Sequence, residues 1–148
     1  MDQLVEFRVS NDALDNPVEL NRRFQEEGYV FIRGLQDPGD ILSLRREMMT
    51  PIQQGGWLAP GTTPSDGIAE LSARCAEGDP EYTRVYHEVY KLEHFHRSAH
   101  STDILNVLEI LMGQPVIPLP QKIARIWFPQ FTMPASYTHL TLPTKATV

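Results

Sequence analysis

The first recurring pattern of apolar and charged positions predicts a helix that leads into a strand. Residues 16–28 read NPVELNRRFQEEG, in which apolar side chains recur once per helical turn among charged ones. Asn16 is a typical N-cap, Pro17 suits the first helical position, and Gly28 is a typical helix end. The following YVFIRG is a short apolar run, rich in aromatic and β-branched residues, that favours a buried strand.

Three further helices are predicted from the same combination of capping residues and apolar spacing. Asp-Pro pairs at 37–38 and 79–80 begin the second and third helices. The second presents a broad apolar face up to Pro51, and the third, EYTRVYHEVYKLEHFHRSAH, has an aromatic face typical of a core. The fourth, TDILNVLEILMG, is capped by Ser101 or Thr102 and ends at its glycine.

Two stretches are predicted to lack helix. Residues 54–67, QGGWLAPGTTPSDG, form a long loop because glycine and proline recur throughout. Residues 115–129, PVIPLPQKIARIWFP, read as two short extended segments, since Pro118 and Pro120 forbid a helix and break the first segment early.

Composition and charge narrow the class of protein. With 148 residues, 41% of them hydrophobic and 22% charged, the chain is typical of one soluble domain. A net charge of −6 argues against nucleic-acid and anionic-membrane partners and favours a small-molecule ligand. Cys75 is the sole cysteine, so no internal disulfide can form. Because the sequence shows no secretion signal and no long apolar run, we expect a cytoplasmic protein without membrane contact. Its oligomeric state is not indicated.

Histidines crowd the third predicted helix, but their spacing does not favour a metal site. His94 and His96 would point about 200° apart around a helix axis. His96 and His100 share a face, yet at the end of a helix a capping or surface role is the more common one. Nothing near Cys75 identifies a base that would activate its thiol.

Two stretches carry a family resemblance, and the second consists of two segments. FQEEGYVFIRGLQDPGDILSLRREM at 24–48, together with DILNVLEILMGQPV at 103–116 and QKIARIWFP at 121–129, resembles the N-terminal part of the phytanoyl-CoA dioxygenase-like family. The resemblance implies an α+β fold: N-terminal helices and the first strands of a double-stranded β-helix, of jelly-roll and cupin-like type. It also implies an enzyme that uses Fe(II) and 2-oxoglutarate to hydroxylate a small organic substrate. Its iron would be held by a His-x-Asp pair and a distant His.

The last residues bear on where those ligands lie. SYTHLTLPT at 136–144 equals the translation of a transposase-end adapter used in sequencing libraries, and His139 is followed by Leu140 and Thr141 instead of completing His-x-Asp. We therefore expect residues 1–135 to be part of the dioxygenase-like domain and 136–148 to be an artefactual tail. The chain as given would lack all iron ligands and be inactive. The alternative is that SYTHLTLPT is a genuine β-prone terminal strand.

Gln121 and Arg125 are the candidate cofactor-binding residues. Alternate side chains of an extended QKIARIW share one face, and the resemblance implies polar contacts to 2-oxoglutarate from this strand. For Arg125, an exposed position on the outer face is the more common alternative. The rival function is a noncatalytic α+β binding or interaction module that uses the Trp57 loop and the aromatic third helix as its contact surface.

Overall fold

Helices dominate the part of the chain that the computed structural model describes, residues 6–129. The five α-helices are α1 (Pro17–Glu27), α2 (Pro38–Gln54), α3 (Pro80–Tyr90), α4 (Glu93–Ser98) and α5 (Thr102–Met112). Short 3-10 turns cover Asn11–Ala13 and Leu71–Ala73. None of the described helices combines the length and the apolar character needed to cross a bilayer.

Residues 6–129 contain two isolated β-bridges and no strand or sheet. One bridge joins Val9 to Phe31 in parallel, and the other joins Leu58 to Ala69 in antiparallel orientation. The predicted α+β fold, with the first strands of a double-stranded β-helix, is therefore wrong for this part of the chain. The prediction fails because β propensity favours only an extended backbone, whereas a strand also needs a neighbouring strand with which to pair. The YVFIRG run forms one bridge, and residues 115–129 form neither helix nor strand.

Two of the predicted helix boundaries are also wrong. The second helix continues through Pro51 to Gln54. The predicted third helix is divided into α3 and α4, because Leu92 adopts an extended conformation with φ −68° and ψ 118°. No glycine or proline marks this break, so the apolar spacing predicts a helix that continues through it.

The described residues fall into two compact units. Unit 1 contains residues 6–48 and 92–123, and unit 2 contains residues 49–91 and 124–129. In unit 1, α1 packs against α5, and Leu20 of α1 is fully buried. The Asn21 amide donates to the carbonyl oxygens of Ile110 and Leu111 at 3.2 and 3.3 Å. A side chain of α1 thus provides the hydrogen-bond donor for carbonyl groups in the last turn of α5.

The ends of α1 follow the capping pattern read from the sequence. The Asn16 side chain accepts a hydrogen bond from the Glu19 amide at 3.1 Å. Gly28 ends the helix with φ 75°, a left-handed conformation that glycine adopts without the strain a Cβ would cause.

A buried arginine fixes the turn that precedes α1. Arg23 is 5% exposed and donates two hydrogen bonds to the carboxylate of Asp12 at 2.8 and 2.7 Å, and one to Glu19 at 2.7 Å. The bonds from Arg23 lower the pKa of Asp12 from 3.8 to about 2. Bonds from Arg22 and then Arg23 lower that of Glu19 from 4.5 to about 2. The charge of the buried guanidinium is therefore matched by two carboxylates that stay ionised.

The core of unit 2 is aromatic. The Trp57 ring lies 5.7 Å from that of Tyr82 and 5.2 Å from that of Phe128, measured between ring centroids. Val85 and Val89 of α3 are also buried. The loop after α2 therefore folds inward at Trp57, and α3 supplies the apolar face against which it packs.

Candidate functional site

The segment that contains the predicted cofactor-binding residues forms neither helix nor strand, and its residues alternate in exposure. Ile123 and Trp127 are 56% and 57% exposed, whereas Ala124 and Phe128 are each 5% exposed. Gln121 and Arg125 are also exposed, as the period of two in an extended chain requires.

Gln121 and Arg125 belong to different units and are described separately. Arg125, in unit 2, places its guanidinium 3.6 Å from the Glu77 carboxylate, and both side chains remain partly exposed. Such a solvent-screened pair stabilises a fold little. Gln121 is exposed in unit 1. Their joint role in binding 2-oxoglutarate stays a prediction.

Two tyrosines of α3 hold the backbone on either side of Arg125. The Tyr82 hydroxyl accepts a hydrogen bond from the Ile126 amide at 3.4 Å, and Tyr86 accepts one from the Ala124 amide. Burial raises the pKa of both hydroxyls, so both phenols are neutral at pH 7. The sequence prediction assigned the aromatic face of this helix to a core and did not identify either tyrosine as a hydrogen-bond acceptor. The available signal was the recurrence of tyrosine at 82, 86 and 90, four residues apart.

Trp57 does not supply an exposed contact surface. It is 1% exposed, although the alternative function predicted a surface built on its loop. Within residues 6–129 its indole N–H has no hydrogen-bond partner. Trp57 is a core residue of unit 2.

Within residues 6–129, the histidines do not assemble a metal site. His94 Nδ1 lies 2.9 Å from Glu47 Oε1, which joins α4 to α2 within unit 1. His96 lies on α4, whereas His100 follows its end at Ser98, so the two do not share a helix face. Among the residues described, no three His, Cys, Asp or Glu side chains are grouped to hold a metal ion. The described residues therefore do not fit the iron that the resemblance implies. The ligands predicted after Ala135, and the SYTHLTLPT tail within 136–148, lie outside the described residues.

Cys75 has the environment of an inert thiol. It is buried, and burial, followed by the charges of Asp79 and Glu81, raises its pKa. Because the thiolate is the nucleophile, these effects lower reactivity at neutral pH.

Unit 1 contains an open cleft of about 280 Å³ at the N-terminal ends of α2 and α5. Asp37, Asp40 and Asp103 line it together with Arg97 and His94. The Asp37 carboxylate also caps α2 by accepting from the Asp40 amide at 3.0 Å. Because both signs of charge line the cleft, its electrostatics do not select one class of ligand.

The likeness to a known family rests on short stretches of sequence. Comparison of the chain with protein-family models, characterised proteins and solved structures gives no match. The resemblance to the phytanoyl-CoA dioxygenase-like family therefore stays a prediction from residues 24–48, 103–116 and 121–129.

Proposed function

We propose that the complete gene product to which this chain belongs is a non-haem Fe(II)- and 2-oxoglutarate-dependent dioxygenase that hydroxylates a small organic substrate. We propose this reaction and not a β-helix for this chain, because residues 6–129 contain no such fold. The observation that carries it is the order of local elements in the stretches that show the resemblance.

In the first stretch, a helix ends at a left-handed Gly28 and gives way to the non-helical run that bridges at Phe31. The next helix, α2, then begins at Pro38, immediately after the capping Asp37. In the second stretch, α5 ends at Gly113 with φ 66°, and the extended QKIARIWFP segment follows. The resemblance implies this order of helices and glycine turns, but with strands where residues 6–129 form none. The order of the helices and turns supports the proposal.

Within this chain, the proposed contribution is to bind the cosubstrate. Iron and 2-oxoglutarate supply the oxygen-dependent chemistry in such enzymes, and residues 6–129 hold no iron ligand set. Arg125 is exposed, and its guanidinium has the paired donors that match a carboxylate. We assign it to a carboxylate of 2-oxoglutarate. The weak pair with Glu77 is readily exchanged for a ligand.

Sequencing of the locus from unfragmented DNA, followed by an iron-binding measurement, tests the origin of the ligands. A facial triad needs three converging ligands, so a His-x-Asp is expected within about ten residues of Pro134 in the complete gene. Residues 1–148 should not retain Fe(II) on dialysis, whereas the complete protein should retain one ion. A native reading frame that ends at Val148, or tight stoichiometric iron binding by this chain, would refute the proposal.

The role of Arg125 is tested in the complete protein by following succinate formation from 2-oxoglutarate. Arg125→Gln removes a charge-assisted pair and should raise the KM for 2-oxoglutarate about 10- to 100-fold. The matched control is Arg84→Gln, because Arg84 is an exposed arginine of unit 2 that pairs with Glu81 on α3. Equal effects of the two substitutions would remove Arg125 from the cosubstrate site.

A further inference from the structure

The backbone of residues 124–126 is bonded to tyrosine side chains in place of a neighbouring strand. The Ile126 amide donates to the Tyr82 hydroxyl at 3.4 Å, and the Ala124 amide donates to the Tyr86 hydroxyl. Phe128, two residues further, packs its ring on Trp57 at 5.2 Å. All of these groups lie within unit 2.

The spacing of the two tyrosines matches the spacing of the two amides. Residues four apart on a helix are separated by about 6 Å along its axis. Residues two apart in an extended chain are separated by about 6.6 Å, and their amides point to the same side. Tyr82 and Tyr86 differ by four, and Ile126 and Ala124 differ by two in the reverse order. A helix and an extended segment that run in opposite directions therefore meet at both bonds.

The tyrosines are also well placed to remain acceptors. Their rings stack on each other with centroids 6.2 Å apart, and Tyr82 is 4% exposed. Buried Tyr82 offers an acceptor at a fixed position because its ring has no room to turn away, and Tyr86, which stacks on it, is half-buried. The raised pKa of each hydroxyl keeps it protonated at pH 7.

We infer that Tyr82 and Tyr86 are positioning residues, which hold residues 124–126 extended through these two hydrogen bonds and thereby direct Arg125 and Trp127 outward. The register decides which side chains face the core. With Ala124 and Phe128 buried, Arg125 and Trp127 are exposed, and a shift by one residue would reverse that arrangement. An effect of the two tyrosines on cosubstrate binding rests on the proposed function of Arg125. Their role in holding the backbone of residues 124–126 does not.

The unmodified 148-residue chain provides the first test, by amide hydrogen exchange measured residue by residue with NMR. The amides of Ala124 and Ile126 should exchange more slowly than those of Ile123 and Trp127, relative to their unstructured rates. If the four amides do not show this alternation, the inference is wrong.

Substitutions then assign each bond. Tyr82→Phe should speed exchange at Ile126, and Tyr86→Phe at Ala124, each roughly fivefold, which corresponds to one net hydrogen bond. Tyr29→Phe is the matched control, because the Tyr29 hydroxyl accepts from the Arg8 amide at 3.1 Å in unit 1. It should speed exchange at Arg8 and leave Ala124 and Ile126 unchanged. Equal acceleration of all amides in unit 2 by the α3 substitutions would indicate general destabilisation and overturn the inference.

The complete protein separates this inference from the proposed function. If the double substitution Tyr82→Phe, Tyr86→Phe speeds exchange at the two amides and raises the KM for 2-oxoglutarate with kcat unchanged, both stand. If exchange speeds up while that KM does not change, the tyrosines still position the segment and Arg125 loses its assigned role.

Discussion

Gly55 is the position at which the smallest side-chain addition should have a measurable cost. A Cβ at this residue would lie 2.6 Å from Cγ2 of Val85, whereas carbon atoms in favourable contact are about 3.5–4.0 Å apart. Val85 is 1% exposed and β-branched on a helix, so it has little freedom to move away. Overpacking of this kind costs about 1–3 kcal/mol. The lower entropy of the unfolded chain returns only about 0.4–1 kcal/mol. Gly55→Ala should therefore lower the free energy of unfolding by about 1–2 kcal/mol.

Urea unfolding followed by far-UV circular dichroism measures this change, and a double-mutant cycle assigns its cause. Val85→Ala removes the clashing methyl group at the cost of a cavity. If the clash is the cause, the double substitution Gly55→Ala, Val85→Ala should cost about 1 kcal/mol less than the sum of the single substitutions. A Gly55→Ala protein as stable as the parent, or strictly additive single effects, would refute the reasoning.

Two further predictions concern unit 1. Because Asp12 and Glu19 have pKa values near 2 in the folded chain, against 3.8 and 4.5, protons bind them more tightly after unfolding. Their stabilisation should be complete above about pH 4.5 and lost as the pH falls towards 2. In urea unfolding across this range, the free energy of unfolding of the double variant Asp12→Asn, Glu19→Gln should depend less steeply on pH than that of the parent. Identical slopes would contradict the prediction. Asn21→Ala should lose about 1 kcal/mol by leaving two carbonyls of α5 without their donor. Exposed Asn106→Ala on α5 is the near-neutral control in the same unfolding assay, and equal losses would count against this role of Asn21.

Features set by a few neighbouring residues were predictable. The Asn16 cap, the left-handed Gly28 and the end of α5 at Gly113 each depend on the chemistry of one turn. The exposure of alternate residues from 121 to 128 also followed from the period of an extended chain.

Features that depend on distant partners were not predictable. YVFIRG has the composition of a strand, but its partner is decided by the rest of the fold, and it forms only an isolated bridge at Phe31. The burial of Arg23 depends on Asp12, eleven residues earlier, and no spacing rule connects them. At the candidate site, Arg125 was identified from its position in the segment. The acceptors Tyr82 and Tyr86 were missed because their partners Ile126 and Ala124 are distant in sequence, 44 residues away in the case of Tyr82.

The burial of Trp57 and the exposure of Trp127 give the chain two optical reporters with different surroundings. They are its only tryptophans, at 1% and 57% exposure. Emission from an indole in an apolar core lies at shorter wavelength than emission from one in water, and a soluble quencher such as iodide reaches only the latter. Trp127→Phe would leave a single fluorophore inside the aromatic core of unit 2. Trp57→Phe would leave one beside Arg125, where the quenching of Trp127 responds directly to a ligand that covers that face.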